Sequence, residues 1–196
     1  MESRTLGSNR GSAIIRGTFC LAVAALALVP ALHLATAQEK KKPPITAQAQ
    51  RGRELFQKSP KGTACGTCHT MDDVGTAVGP DLRTMASLAT PRALVSIIRM
   101  TITQNVQDVK TSAGNFPGIQ KQKEGEEIEI WDLSQTPPVL RKLASKDVLS
   151  MTRDDKWKHP PTSAGYTSQE LADIIGFLKW AATGSRSEVK AADIED

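Results

Sequence analysis

Cys65-Gly66-Thr67-Cys68-His69 carries the strongest chemical signal in this 196-residue chain. Two thiols separated by two residues, with an imidazole directly after the second, form the attachment sequence for c-type haem. Each thiol adds across one vinyl group of the porphyrin, and the two-residue spacer matches the separation of those vinyls. The histidine then falls beneath the iron and supplies the proximal nitrogen. Two other chemistries use a Cys-x-x-Cys pair. Structural zinc takes four ligands, and no second cysteine pair or His-x-x-x-His follows downstream. A thioredoxin-like pair follows a strand and opens a helix in a βαβ unit, whereas Thr63-Ala64 and the run from Thr70 to Gly79 read as loop. The five residues point to one covalent haem c, attached through Cys65 and Cys68 with His69 as proximal ligand.

Upstream of the motif, residues 1–37 read as a secretory signal. Arg4, Arg10 and Arg16 form a basic n-region, Thr18 to Leu34 an apolar h-region, and Ala35-Thr36-Ala37 a cleavage site before Gln38. Pro30 and His33 interrupt an apolar run already short for a membrane span, so membrane attachment would require an uncleaved signal. Cleavage after Ala37 and export to the periplasm are expected, and haem thioether bonds are made on that side of the bacterial inner membrane. Export also removes Cys20 and His33. The mature chain then keeps Cys65 and Cys68 as its cysteines, with no structural disulfide, and His69 and His159 as its histidines. The full chain carries a formal charge of +4, and losing three arginines and Glu2 brings the mature chain closer to neutral. There is no basic stripe with interleaved aromatics, so nucleic acid is not expected as a partner. Aromatic residues are only 4% of the chain, thin for a core of this length and consistent with a large prosthetic group filling part of it.

Between the signal and the motif, residues 38–45 (QEKKKPPI) read as a flexible leader. A helix is expected from about Thr46 to Lys58, with Leu55 and Phe56 on its apolar face and Arg51, Arg53 and Glu54 towards water. Gly52 in mid-helix lowers helix stability relative to alanine, which calls for a close crossing with another helix. Downstream, Thr167-Ser168-Gln169-Glu170 forms a capping box, and Leu171, Ile174, Ile175 and Leu178 recur at helical spacing beside Phe177 and Trp180.

A helix with Gly52 and Phe56, then Cys-x-x-Cys-His, then Gly79-Pro80-Asp81-Leu82, resembles class I cytochromes c. The resemblance implies a mainly α fold, with crossed N- and C-terminal helices around the covalent haem. It implies that the Pro80 carbonyl accepts the Nδ1 proton of His69, fixing the ring and its tautomer. It also implies that Ile174 to Leu178 lie on the closing helix, faced by Gly52 and Phe56. The middle of the chain is different. Pro91 to about Thr101 reads as a helix, but Val109 to Thr111, Phe116 to Gln122, Ile128 to Leu133 and Val139 to Leu143 are short strand-like runs between turn signals. A small antiparallel β-insertion over about 105–143 is expected. In layout it resembles the β-insertion of monohaem cytochrome domains that accompany periplasmic quinoprotein and sugar dehydrogenases. The domain is expected to run from 46 to 184, with a polar tail over 185–196.

The distal ligand decides what the iron does. Met71 follows the motif too closely to reach the other haem face, and Met85 and Met100 read as core or pocket lining. Related domains carry Met-Pro on the loop before the closing helix. Here that place holds Lys158-His159-Pro160-Pro161, which makes His159 the preferred distal ligand. Met151 is the alternative, in a segment (Ser145 to Thr152) that can be read as helical. Trp157 is expected to pack near the haem edge, while Trp131 and Trp180 read as packing residues. With both axial positions filled, the expected function is electron transfer rather than catalysis: a periplasmic carrier or electron-transfer subunit shuttling one electron between a dehydrogenase and an oxidase or another cytochrome. The alternative is a haem enzyme or gas sensor, peroxidase-like, with an open distal site. That reading needs His159 free to act on a bound ligand.

Overall fold

The computed structural model describes residues 42–60, 62–161 and 165–195, so the expected signal peptide at 1–37 lies outside the described residues. Helix α1 (Ala47–Gln57) starts where Thr46 caps it, its hydroxyl accepting the Ala49 N–H at 3.1 Å. The closing helix α4 (Ser168–Thr183) starts on the expected capping box. The Thr167 N–H donates to Glu170 at 2.7 Å and the Glu170 N–H to the Thr167 hydroxyl at 3.2 Å.

These two helices cross at Gly52. A Cβ there would lie 1.9 Å from the Asp173 carbonyl oxygen and 2.9 Å from Phe177 Cβ, so only glycine permits the approach. Phe56 and Phe177 then meet at 5.6 Å, and with Ala49, Met71, Ala86, Ile174 and Leu178 they form a fully buried core. Asp173 locks the crossing. Burial alone would raise its pKa, but hydrogen bonds from Arg51, Gln169 and Gln48 outweigh this and hold the carboxyl below the usual carboxylate range. Arg51 stays exposed to water, as expected, while it grips both Asp173 oxygens at 2.7 and 2.9 Å.

Two short helices, α2 (Arg83–Leu88) and α3 (Pro91–Ile98), follow the haem motif. Thr90 caps α3 and Pro91 opens it. The motif itself begins as a 3₁₀ turn, Cys65–Thr67, and continues into a small hairpin of β1 (Thr70–Met71) and β2 (Val74–Gly75). Among the described residues no helix is long and apolar enough to cross a membrane.

The expected mainly α fold with a small β-insertion requires correction. Strands β3 (Gln107–Thr111), β4 (Gly114–Glu124), β5 (Glu127–Asp132), β6 (Val139–Ala144) and β7 (Val148–Arg153) form one antiparallel sheet in the order β6-β5-β4-β3-β7. The sheet has a core of its own. Val109, Phe116, Ile128 and Ile130, with Leu143, Val148 and Met151, gather side chains from all five strands. The segment Ser145–Thr152, which can be read as helical in sequence, is a 3₁₀ turn followed by β7. Val148, Leu149 and Met151 suit a short helix as well as a short strand. Pairing with β3, Val109 opposite Met151, decides in favour of the strand.

Both ends of the domain are tied down. Of the expected flexible leader, residues 42–45 lie against α4. The Trp180 indole N–H donates to the Pro43 carbonyl at 3.1 Å, and Lys42 sits over the Trp180 ring and pairs with Asp72. Residues of the expected polar tail strap the helices from the other side. Val189 and Ile194 are buried with Leu94, Val95, Leu171 and Ile175. The Gln48 side chain bonds both the N–H and the carbonyl of Val189, at 2.9 and 2.6 Å.

Candidate haem site

The Cys-x-x-Cys-His turn is held by its own backbone, with the His69 N–H donating to the Cys65 carbonyl at 2.9 Å. The returning loop is stitched onto it. The N–H groups of Val78 and Gly79 both donate to the Cys68 carbonyl, at 3.1 and 2.7 Å. This lays Gly79 flat against the imidazole, where a Cβ would fall 2.7 Å from His69 Cε1. It also delivers the Pro80 carbonyl to 2.8 Å from His69 Nδ1. A carbonyl only accepts, so Nδ1 carries the proton and Nε2 keeps its lone pair. Burial pushes the His69 pKa down, against the Pro80 bond, which favours the neutral, ligating form.

His159 mirrors this arrangement from the sheet side. Strand β7 ends at Arg153, the Asp154 N–H donates to the Val106 carbonyl at 2.9 Å, and the His159 N–H donates to the Thr101 carbonyl at 2.8 Å. The His159 Nδ1 lies 2.8 Å from the Pro160 carbonyl, so again Nε2 is the free nitrogen. The two imidazole centroids are 5.9 Å apart with planes inclined at 32°. A metal held by both rings, at the roughly 2 Å nitrogen–metal distance of first-row ions and with about 1 Å from each nitrogen to its ring centre, puts the centroids about 6 Å apart. The separation fits. Trp157 stands edge-on to His159 at 6.2 Å and lines the same cavity.

The cavity, about 340 Å³, has walls that are mostly apolar. Cys65, Cys68, His69 and Pro80 form one side, Met85, Ile97, Ile98, Met100 and Ile102 another, and Val106, Ile119, Leu133, Trp157 and His159 the sheet side. These residues fit a haem, a flat apolar body that Cys65 and Cys68 would attach and that His69 and His159 would hold. Met151, the alternative ligand, lies in β7 opposite Val109 and packs into the sheet core, not along the cavity. Met71 is buried in the helix core, and Met85 and Met100 line the cavity as expected. Trp180 stacks on Phe177, outside the cavity wall.

The rival chemistries find no support in the geometry. Among the described residues no group of three or more histidines, cysteines, aspartates or glutamates could hold a metal on its own, which leaves zinc without a ligand set. Burial pushes the Cys65 thiol up to about 11 and also raises that of Cys68, the reverse of a reactive redox thiolate. The sequence reading missed Ile119, Leu133, Asn105 and Gln135 in the cavity wall. Their only signal lies in the sheet register, which brings distant loops together.

A family model described as Cytochrome c matches residues 49–135. No curated protein matches the chain. The match covers most of α1, the haem-attachment turn, Pro80 and the sheet as far as the β5–β6 connection, and leaves His159 and α4 beyond its end. The match supports a cytochrome c. It implies covalently bound haem c and supports haem-based electron transfer as the general function.

Proposed function

We propose that the protein is a periplasmic one-electron carrier, a class I-like monohaem cytochrome c whose iron is six-coordinate between His69 and His159. The observation that carries this reading is the pair of imidazoles with centroids 5.9 Å apart, each with Nδ1 against a proline carbonyl. When bound, haem supplies a Fe(III)/Fe(II) couple, and the protein's part is to attach, orient and bury it. Cys65 and Cys68 attach it, Pro80 and Pro160 fix the imidazole tautomers, and the apolar walls exclude water. With both axial sites filled by histidine, the potential should lie below that of a His/Met cytochrome. The β-insertion layout supports a periplasmic dehydrogenase as donor and an oxidase or second cytochrome as acceptor. The signal reading supports cleavage after Ala37, which the intact mass of the exported protein would check.

The test is the optical spectrum of the purified mature protein, ferric and ferrous, with and without carbon monoxide, beside His159→Ala. The expected wild type is low-spin, lacks the far-red sulfur–iron band and is indifferent to carbon monoxide. The variant should be high-spin when oxidised and bind carbon monoxide when reduced. A far-red band in the wild type would assign a methionine ligand instead. Ready carbon monoxide binding by the wild type would favour the enzyme or sensor reading.

A further inference from the structure

Strands β3 and β7 stay in step beyond their ends, and this brings His159 to the cavity. Gln107 stands opposite Arg153 within the sheet. Past them the Asp154 N–H donates to the Val106 carbonyl at 2.9 Å, and further along both chains the His159 N–H donates to the Thr101 carbonyl at 2.8 Å. Between these two rungs the chain makes a turn closed by a side chain. One carboxylate oxygen of Asp154 accepts the Lys156 N–H at 2.9 Å and the Trp157 N–H at 3.1 Å. Trp157 is thereby fixed two residues before the ligand, where an extended chain puts both side chains on one side. Its ring stands edge-on to the His159 ring, with 6.2 Å between centroids and 89° between planes.

An imidazole that ligates through Nε2 remains free to turn about its bond to the metal, so its neighbours have to set that angle. For His69 they are the Gly79 backbone, lying flat against the ring, and the Pro80 carbonyl. For His159 the Pro160 carbonyl lies 2.8 Å from Nδ1, but it belongs to the next residue of the same loop and moves with it. The fixed neighbour is Trp157, which Asp154 ties to the end of the sheet. We propose that Trp157, held by Asp154, is the positioning residue that sets the His159 ring near the orientation of the His69 ring. The proposal rests on the haem reading above.

The consequence is electronic. The two ring planes are inclined at 32°, closer to parallel than to crossed. Each ring ligates in its own plane, so this inclination is the twist between the rings about the ligand axis. An imidazole donates π density perpendicular to its plane. Rings near parallel act on the same iron orbital and split the ferric levels widely, whereas crossed rings act equally on two orbitals and leave them close together. The orientation of a side chain thus tunes the electronics of the bound group. A ring already held in place also has no rotation to make when an external donor delivers an electron, which suits a carrier.

The experiment is electron paramagnetic resonance of the frozen ferric holoprotein, beside its circular dichroism. Wild type should give a fully resolved rhombic low-spin signal. Trp157→Ala should lose that signal to a single broad line at lower field, with covalent haem and circular dichroism unchanged. Trp157→Phe, which keeps an aromatic edge against the imidazole, should retain the rhombic signal. Asp154→Ala should follow Trp157→Ala, while Asp154→Asn, whose side-chain carbonyl still accepts both N–H groups, should match wild type. The Asp154 pair serves if Trp157→Ala does not fold. A single low-field line from wild type overturns the proposal, as does the wild-type signal in Trp157→Ala or in Asp154→Ala. Failure of the haem reading would look different: no covalent haem on a denaturing gel, or a far-red sulfur–iron band in the optical spectrum.

Discussion

Replacing Gly52 with alanine tests the helix crossing on which the haem-attachment turn is mounted. The new Cβ would stand 1.9 Å from the Asp173 carbonyl oxygen, 2.5 Å from its carbon and 2.9 Å from Phe177 Cβ, where ordinary contact begins at 3.4 Å. The obstacle is α4 backbone, which cannot rotate aside as a side chain would. The helices must part by about 1.5 Å, and an overpacked site of this kind costs roughly 1–3 kcal/mol, here the upper end. Alanine returns about 1 kcal/mol of helix propensity over glycine. The net expectation is a loss of about 2 kcal/mol, the difference between those two effects. Parting the helices would also loosen the Arg51–Asp173 pair and the Gln48 grip on Val189. The assay is guanidinium unfolding of the ferric holoprotein, followed by far-ultraviolet circular dichroism, with a lower midpoint and unchanged slope expected. A midpoint equal to or above wild type is what a solvent-facing helical glycine would give, and it would refute the crossing argument.

The remaining expectations concern the haem ligand, an ion pair and the tail. Gly79→Ala drives a Cβ into the His69 ring, 2.7 Å from Cε1, and should convert part of the ferric protein to high spin, visible in its optical or electron paramagnetic resonance spectrum; an unchanged low-spin signal would count against the packing. The folded-state pKa of Asp173 is depressed, so its pairing stabilises fully above the unfolded carboxylate range near about 4 and fades as pH falls through the folded value. The stability gap between wild type and Asp173→Asn should therefore be widest near neutrality and shrink in acid, as denaturation at the two pH values would show; a pH-independent gap would sink the assignment. Ile194→Ala removes a side chain that is 2% exposed in the helix cluster. It should cost about 3 kcal/mol of unfolding free energy with the haem spectrum unchanged, and a neutral result would mean the tail does not clamp the helices.

The sequence by itself determined what is local in chemistry or periodic in pattern. Cys65, Cys68 and His69 are adjacent, so their chemistry needs no fold to be read. Gly52, Phe56 and the capped apolar stripe of α4 announced the crossing, because a mid-helix glycine has few other uses. His159 was singled out by its place before α4, and only the structure sets its ring 5.9 Å from that of His69. The tertiary structure decided what depends on pairing between distant segments. Strand β7 exists because β3 accepts its backbone hydrogen bonds, and the same six residues alone read equally well as helix. That pairing carried Met151 into the sheet core and out of contention for the cavity wall. The tail looked polar because Val189 and Ile194 are isolated in sequence, and their burial follows from a groove built by α3 and α4. Asn105 and Gln135 come from connections about thirty residues apart, and only the register of the strands between them brings both to the mouth of one cavity.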